Sequence, residues 1–212
     1  MRTKMIISFI IALLFLCFFF WSMNNLSYIA ILLSVIIASL FLYNAVRLMG
    51  RLHPEREKTV ITVYVWCTFI LYLIFLFSLT FSVDRNDARF IFSDKDLPRI
   101  YLEHRTNFVP FRSIVGSFKI GGDYFLINYI GNIAALSPMG FFLPRLLRPA
   151  RKLLPFILFT TLIVIFIEFT QFLFTVGSVD IDDLILNVAG AVIVFLILRI
   201  RPVDGLLRKL FP

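Results

Sequence analysis

Apolar residues fall into six long stretches, at about Met5 to Met23, Leu26 to Val46, Val60 to Val83, Tyr124 to Leu143, Leu153 to Val176 and Ile181 to Leu198. They do not alternate with a period of two. Most are long enough to carry an α-helix across a bilayer core of about 30 Å, which takes about 20 residues. Backbone polar groups find no water in hydrocarbon, so spanning segments must be helices or closed barrels, and the lack of alternation excludes a barrel. The pattern therefore predicts an all-α, polytopic membrane helix bundle of about six transmembrane helices. Composition agrees: 60% of the 212 residues are hydrophobic and the mean hydropathy is +0.92, whereas a soluble domain is roughly half apolar. The first stretch is longer than the core of a secretion signal, about 7 to 15 residues, and no small-residue cleavage site follows it. It reads as a retained first helix.

Charge sets the expected orientation. Lys and Arg gather at Arg2 and Lys4, at Arg47, Arg51, Arg56 and Lys58, at Arg145, Arg148, Arg151 and Lys152, and at Arg199, Arg201, Arg208 and Lys209. In a six-span arrangement all four groups lie on one side, which the positive-inside rule makes cytoplasmic, with both termini inside. Residues 1–83 are then three N-terminal helices with a basic cytoplasmic connection, residues 84–123 an extracytoplasmic loop, and residues 124–212 three further helices with a basic tail. The long loop carries seven Lys or Arg against six Asp or Glu, a balance that long loops tolerate. Its Asn107–Phe118 piece, NFVPFRSIVGSF, reads either as an interfacial segment or as a plain loop. The net charge of +8 is scattered in short clusters rather than in a stripe interleaved with aromatics, so nucleic acid is not an expected partner, and the bilayer is. Cys17 and Cys67 lie in apolar runs without metal or redox spacing and read as buried small hydrophobes.

Polar groups within spans are costly and mark sites, cavities or helix contacts. Asn128 and Asn132 are four residues apart in the fourth stretch, Glu168 and Gln171 three apart in the fifth, and Asp180, Asp183 and Asn187 form a helical row at the start of the sixth. With the orientation above, Asn132, Glu168 and Asn187 each lie on the order of 10 Å below the outer surface. Asn128, Asn132, Glu168, Gln171, Asp180, Asp183 and Asn187 are therefore expected to form one outward-facing binding cluster. Closely packed acids repel, so a proton, a cation or a basic side chain is needed, and Arg105, Arg112 and Lys119 are the loop's available cations. The bland readings stand beside this one: Asp180, Asp182 and Asp183 as helix caps, and the asparagines as helix-joining amides. Pro138 is expected to kink the fourth span.

Three stretches resemble the VanZ-like family of bacterial membrane proteins: NFVPF at Asn107 to Phe111, NYIGNIAALSPMGFFLP at Asn128 to Pro144, and EFTQFLFTVGSVDIDDLILNVAG at Glu168 to Gly190. The resemblance implies a multi-pass protein of the bacterial cytoplasmic membrane, related to proteins implicated in teicoplanin-type glycopeptide resistance. The resemblance implies a pattern in which many members carry an arginine shortly before the aspartates and tend to have Phe-x-Pro in the fourth span. Here Gly177 and Ser178, and Leu136, Ser137 and Pro138, stand instead.

The leading expectation is a non-enzymatic envelope protein whose cluster handles a lipid-linked cell-wall precursor, a lipid head group or a lipoglycopeptide. Two alternatives stay open. One is an intramembrane enzyme on a lipid-linked substrate, with Glu168 as catalytic base and a divalent cation as cofactor on Asp180 and Asp183. The other is a scaffold without chemistry.

Overall fold

The computed structural model describes residues 1–22, 28–81, 89–120 and 123–211. The fold is an all-α membrane bundle divided into two compact units, one of residues 1–79 with 205–212 and the other of residues 80–204. The described part of the 84–123 loop belongs to the second unit together with the later helices.

In the first unit, α1 (Arg2–Ser22) packs along α2 (Tyr28–Leu52), and α3 (Glu57–Phe81) follows a single 3-10 turn at Pro54–Arg56. Small residues make the close approach possible: Ala12, Ala38, Ala45, Ser8 and Ser34 are all buried. Asn44 donates to the Ser8 hydroxyl across the pair at 2.8 Å, and Arg47 meets Glu57 at 2.9 Å where α2 turns into α3. Cys17 and Cys67 are free and exposed, not buried as the apolar surroundings suggested. In a membrane helix an apolar surrounding faces lipid as readily as it faces protein.

The second unit contains α4 (Leu97–His104), β1 (Thr106–Asn107), α5 (Arg112–Ile120), α6 (Asp123–Leu136), α7 (Met139–Leu146), α8 (Leu153–Leu173), β2 (Val179–Asp180) and α9 (Ile181–Ile197), and α10 (Arg201–Leu210) begins in it, its residues from Gly205 onward belonging to the first unit. α8 shows why these sequences span a membrane. Leu154, Leu158, Leu162, Phe166 and Phe169 form its exposed apolar face, while Phe156, Thr160 and Val164, four apart, face inward. Phe156 stacks on Phe195 of α9 with ring centroids 4.2 Å apart. Arg199, just past α9, donates to the Arg151 carbonyl just before α8 at 2.7 Å. The two helices are therefore antiparallel, and these basic residues lie at one end of the unit.

Among the described residues four helices are long and apolar enough to cross a membrane, five if α9 and α10, bent by 84°, count as one span. The count of six is not confirmed by length: α9 by itself has 17 residues, and the fourth stretch is divided. Pro138 lacks an N–H, and the helix breaks there into α6 and α7. The Ser137 hydroxyl donates to the Ile133 carbonyl at 2.6 Å, and Ser137 N–H turns to Ala134, so the break leaves those carbonyls satisfied.

Both pieces press on α9 through glycine. A Cβ on Gly190 would stand 2.0 Å from the Ile133 carbonyl oxygen, and one on Gly140 would stand 2.6 Å from the Phe195 nitrogen. Gly190→Ala should therefore force α6 and α9 apart and cost about 2 kcal/mol or more. Gly131→Ala, where nothing lies within 4 Å of the added carbon, should change stability by less than about 0.5 kcal/mol. Thermal unfolding of the detergent-solubilised protein checks the pair, and equal midpoints for the two variants would refute the glycine contact.

Candidate functional site

The turn between α8 and α9 sets the site's framework. α8 ends in a Schellman cap: Thr175 takes the left-handed conformation at φ 52°, its N–H reaches the Phe172 carbonyl, and Val176 N–H reaches Gln171 at 2.9 Å. Gly177, at φ 68°, lets the chain turn again. Val179 and Asp180 then pair in parallel with Thr106 and Asn107. A two-rung ladder thus brings the NFVPF stretch against the aspartates.

Asp182 is the centre of this junction. It is fully buried, at 0% exposure, and its two oxygens accept the backbone N–H groups of Phe111, Ser113 at 2.9 Å and Ile114 at 3.1 Å. These are the free donors at the start of α5, where a helix carries partial positive charge. Asp180 serves two elements at once. One oxygen accepts from Asp182 N–H at 2.9 Å, capping α9, and from the Asn107 amide at 3.0 Å, while the other accepts the Ser113 hydroxyl. Asn107 also donates to Ser113 at 2.9 Å and accepts Val109 N–H at 3.1 Å. Phe111 is held in the left-handed region at φ 64°, a conformation that costs a bulky residue on the order of 1 to 2 kcal/mol and persists only where its surroundings enforce it.

Asp183 and Glu168 are placed differently. Asp183 points to α6, where the Asn132 amide donates to it, and Asn187 donates back to the Asp183 carbonyl at 2.9 Å. Glu168 on α8 lies within the field of Asp183 and Asp180 and has a backbone N–H of Asp180 directed at its carboxyl group. Its Oε2 is buried and accepts no hydrogen bond. Tyr101 of α4 closes the other side, donating to the Gly177 carbonyl at 3.2 Å. Burial, with the Glu168 charge adding to it and Arg105 opposing, pushes the Tyr101 phenol up to about 12, so it remains a hydrogen-bond donor at neutral pH.

Asn132, Glu168, Asp180, Asp183 and Asn187 therefore do gather at one end of the unit. Gln171 sits beside the turn, where a Cβ on Gly177 would stand 3.4 Å from its amide nitrogen. Asn128 belongs to α6, but its side chain, like that of Lys119, lies outside the described residues. The basic candidates do not reach the acids: Arg105 donates to the Gly177 carbonyl at 3.4 Å, and none of the ion pairs found among the described residues involves Arg112 or these carboxylates. No group of three or more His, Cys, Asp or Glu arranged to hold a metal ion occurs among the described residues. Asp180, a candidate metal ligand, instead has both oxygens engaged by protein donors. Reading the acids by helical periodicity selected Asp180, Asp183 and Asn187, left Asp182 as a helix cap, and passed over Asn107, Ser113 and Tyr101. Of these three only Asn107 lies in the NFVPF stretch.

The family model for VanZ/LLP1 matches residues 65–202, well over half of the chain. The chain belongs to the VanZ/LLP1 family. No curated protein and no solved structure matches it. The matched region takes in the loop, α6 to α9 and the whole carboxylate junction, so the VanZ/LLP1 segment is where this polar chemistry is built.

Asp182→Asn tests the junction. It removes the charge and turns one acceptor into a donor facing backbone N–H groups, which should cost on the order of 3 kcal/mol. A lower thermal unfolding midpoint of the detergent-solubilised protein is the expected reading, and a midpoint equal to that of the wild type would show that Asp182 does not hold the loop.

Proposed function

We propose that this VanZ-like membrane protein acts in the bacterial cell envelope, binding a head group at the outer leaflet through Glu168, Asp183, Asn132 and Asn187. The role we infer lies in teicoplanin-type glycopeptide resistance or in the handling of a lipid-linked cell-wall precursor. One observation carries the reading: of the four neighbouring acids, Asp180 and Asp182 are consumed in holding the loop, whereas Glu168 retains a buried oxygen without a partner. A buried carboxylate oxygen left unpaired costs more than any structural role it serves, and such groups point to a ligand.

The free chemistry here is mostly that of acceptors, which suits a ligand offering amide or ammonium N–H groups. Lipoglycopeptides and peptide-bearing lipid precursors both offer them. The positive-inside assignment directs the cluster away from the arginine-rich end, and thus toward the outer leaflet. A metal-dependent enzyme has less support, because Asp180 is engaged and a third ligand is not in place. The scaffold reading leaves the Glu168 oxygen unexplained.

Glu168→Gln and Asp183→Asn should leave membrane abundance close to wild type and abolish the change in teicoplanin susceptibility that the wild-type gene confers on a deletion strain. Immunoblotting of membranes beside susceptibility measurements gives both values. Abundance falling in step with phenotype would assign these side chains to architecture, and deletion without effect across several glycopeptides and lipoglycopeptides would remove the resistance reading.

A further inference from the structure

Helix rise fixes the depth of the Asn107–Ile114 loop. The stacked Phe156 and Phe195 rings set α8 and α9 level at one point. From there the end of α8 at Leu173 is 17 residues away, about 26 Å along the axis, whereas Asp182 on α9 is 13 residues away, about 20 Å. Asp182 therefore lies about 6 Å short of the end of α8. α8 itself, at 21 residues, is about 31 Å long and matches the hydrocarbon thickness, so its end marks the membrane boundary. The Phe111, Ser113 and Ile114 amides, bonded to Asp182, share its depth, inside that boundary.

Two further observations agree. Non-helical backbone is tolerated at membrane depth only where its polar groups are satisfied by protein. Here Asp182 takes three N–H groups, Asn107 takes that of Val109, and the Thr106–Asn107 segment is paired with β2. Four apolar side chains of this segment are turned outward, Phe108 at 68% exposed, Phe111 at 57%, Val109 at 54% and Val115 at 52%, with the exposed Arg112, whose long stem can carry its charge to the head groups, among them. The ionic pair of α4, Arg99 with Glu103 at 2.9 Å, is also exposed, so the region has a polar side as well as this apolar one.

The geometry points to Phe108, Val109, Phe111 and Val115 as a tip inserted among the acyl chains of the leaflet opposite the arginine-rich end, with the loop seated in lipid rather than in water. The partner is the bilayer itself, and the inference is independent of any ligand at Glu168.

Fluorescence quenching tests it. The full chain with Cys17 and Cys67 changed to serine is given a single cysteine by Phe108→Cys or Val109→Cys, labelled with bimane and reconstituted in phosphatidylcholine vesicles. Both native side chains are more than half exposed, so their replacement removes little packing. Leu162→Cys, on the lipid face of α8, is the immersed control, and Arg99→Cys is the aqueous control. Labels at 108 and 109 should be quenched several-fold more by lipids brominated near the carbonyl end of the chain than by aqueous iodide, and position 162 should respond most to deeper bromines. Quenching at 108 and 109 like that at 99, strong with iodide and weak with bromolipid, overturns the proposal. If one loop variant fails to show the parent's thermal transition, the other and Val115→Cys carry the same readout.

Discussion

A single carboxylate organises this end of the molecule. Asp182 receives three backbone N–H groups at the start of α5 while standing in the first turn of α9, so the positive ends of two helices converge on it and on Asp180. Buried charge is ordinarily expensive, but a carboxylate facing several amides and two helix dipoles is well compensated without a counter-ion. This explains how three aspartates come to stand beside an apolar helix with no lysine or arginine paired to them among the described residues. It also explains the strained Phe111. The left-handed backbone there aims an N–H at Asp182, and the charged hydrogen bond offsets the strain.

Because Asp180 and Asp182 are spent on this junction, the remaining acids stand out by contrast. Asp183 faces α6, and Glu168 faces the same space from α8. The contact depends on glycine at a distance: Gly190 and Gly140 allow the backbones of α6 and α7 to touch α9, and that approach brings the Asn132 amide within reach of Asp183. Helix packing and site geometry are thus one construction. Small residues set the spacing, the break at Pro138 sets the angle, and the amides bridge what is left.

Several of these features could be read from the chain before folding, and the reasons for the failures are specific. α1, α2, α3 and α8 follow from run length, because a continuous apolar stretch has few alternatives in a bilayer. The kink at Pro138 follows from a missing N–H, although the resulting division into two short helices changes the span count. Matching depths along helices of known rise set Asn132, Glu168 and Asn187 level, and the contact the fold makes from α6 runs from the Asn132 amide to Asp183, while Asn187 bonds within its own helix. Asp182 was legible only as a cap of its own helix, because an i, i+3, i+7 rule selects one face, and Asp182 acts from another, toward the start of α5 some 70 residues earlier in the chain. Nothing local in Asn107 or Ser113 announces that partner. The two cysteines were misread because hydrophobic neighbours do not separate a protein interior from a lipid surface.

The sign of the local charge limits which ligand the cluster suits. The helix N-termini that would attract a phosphate are already occupied by Asp180 and Asp182, and Arg105 spends a donor on the Gly177 carbonyl rather than pointing a free guanidinium inward. An anion brought to Glu168 would find no basic side chain paired with these acids among the described residues. On the reading proposed above, a group carrying N–H donors would meet the unpaired Glu168 oxygen instead.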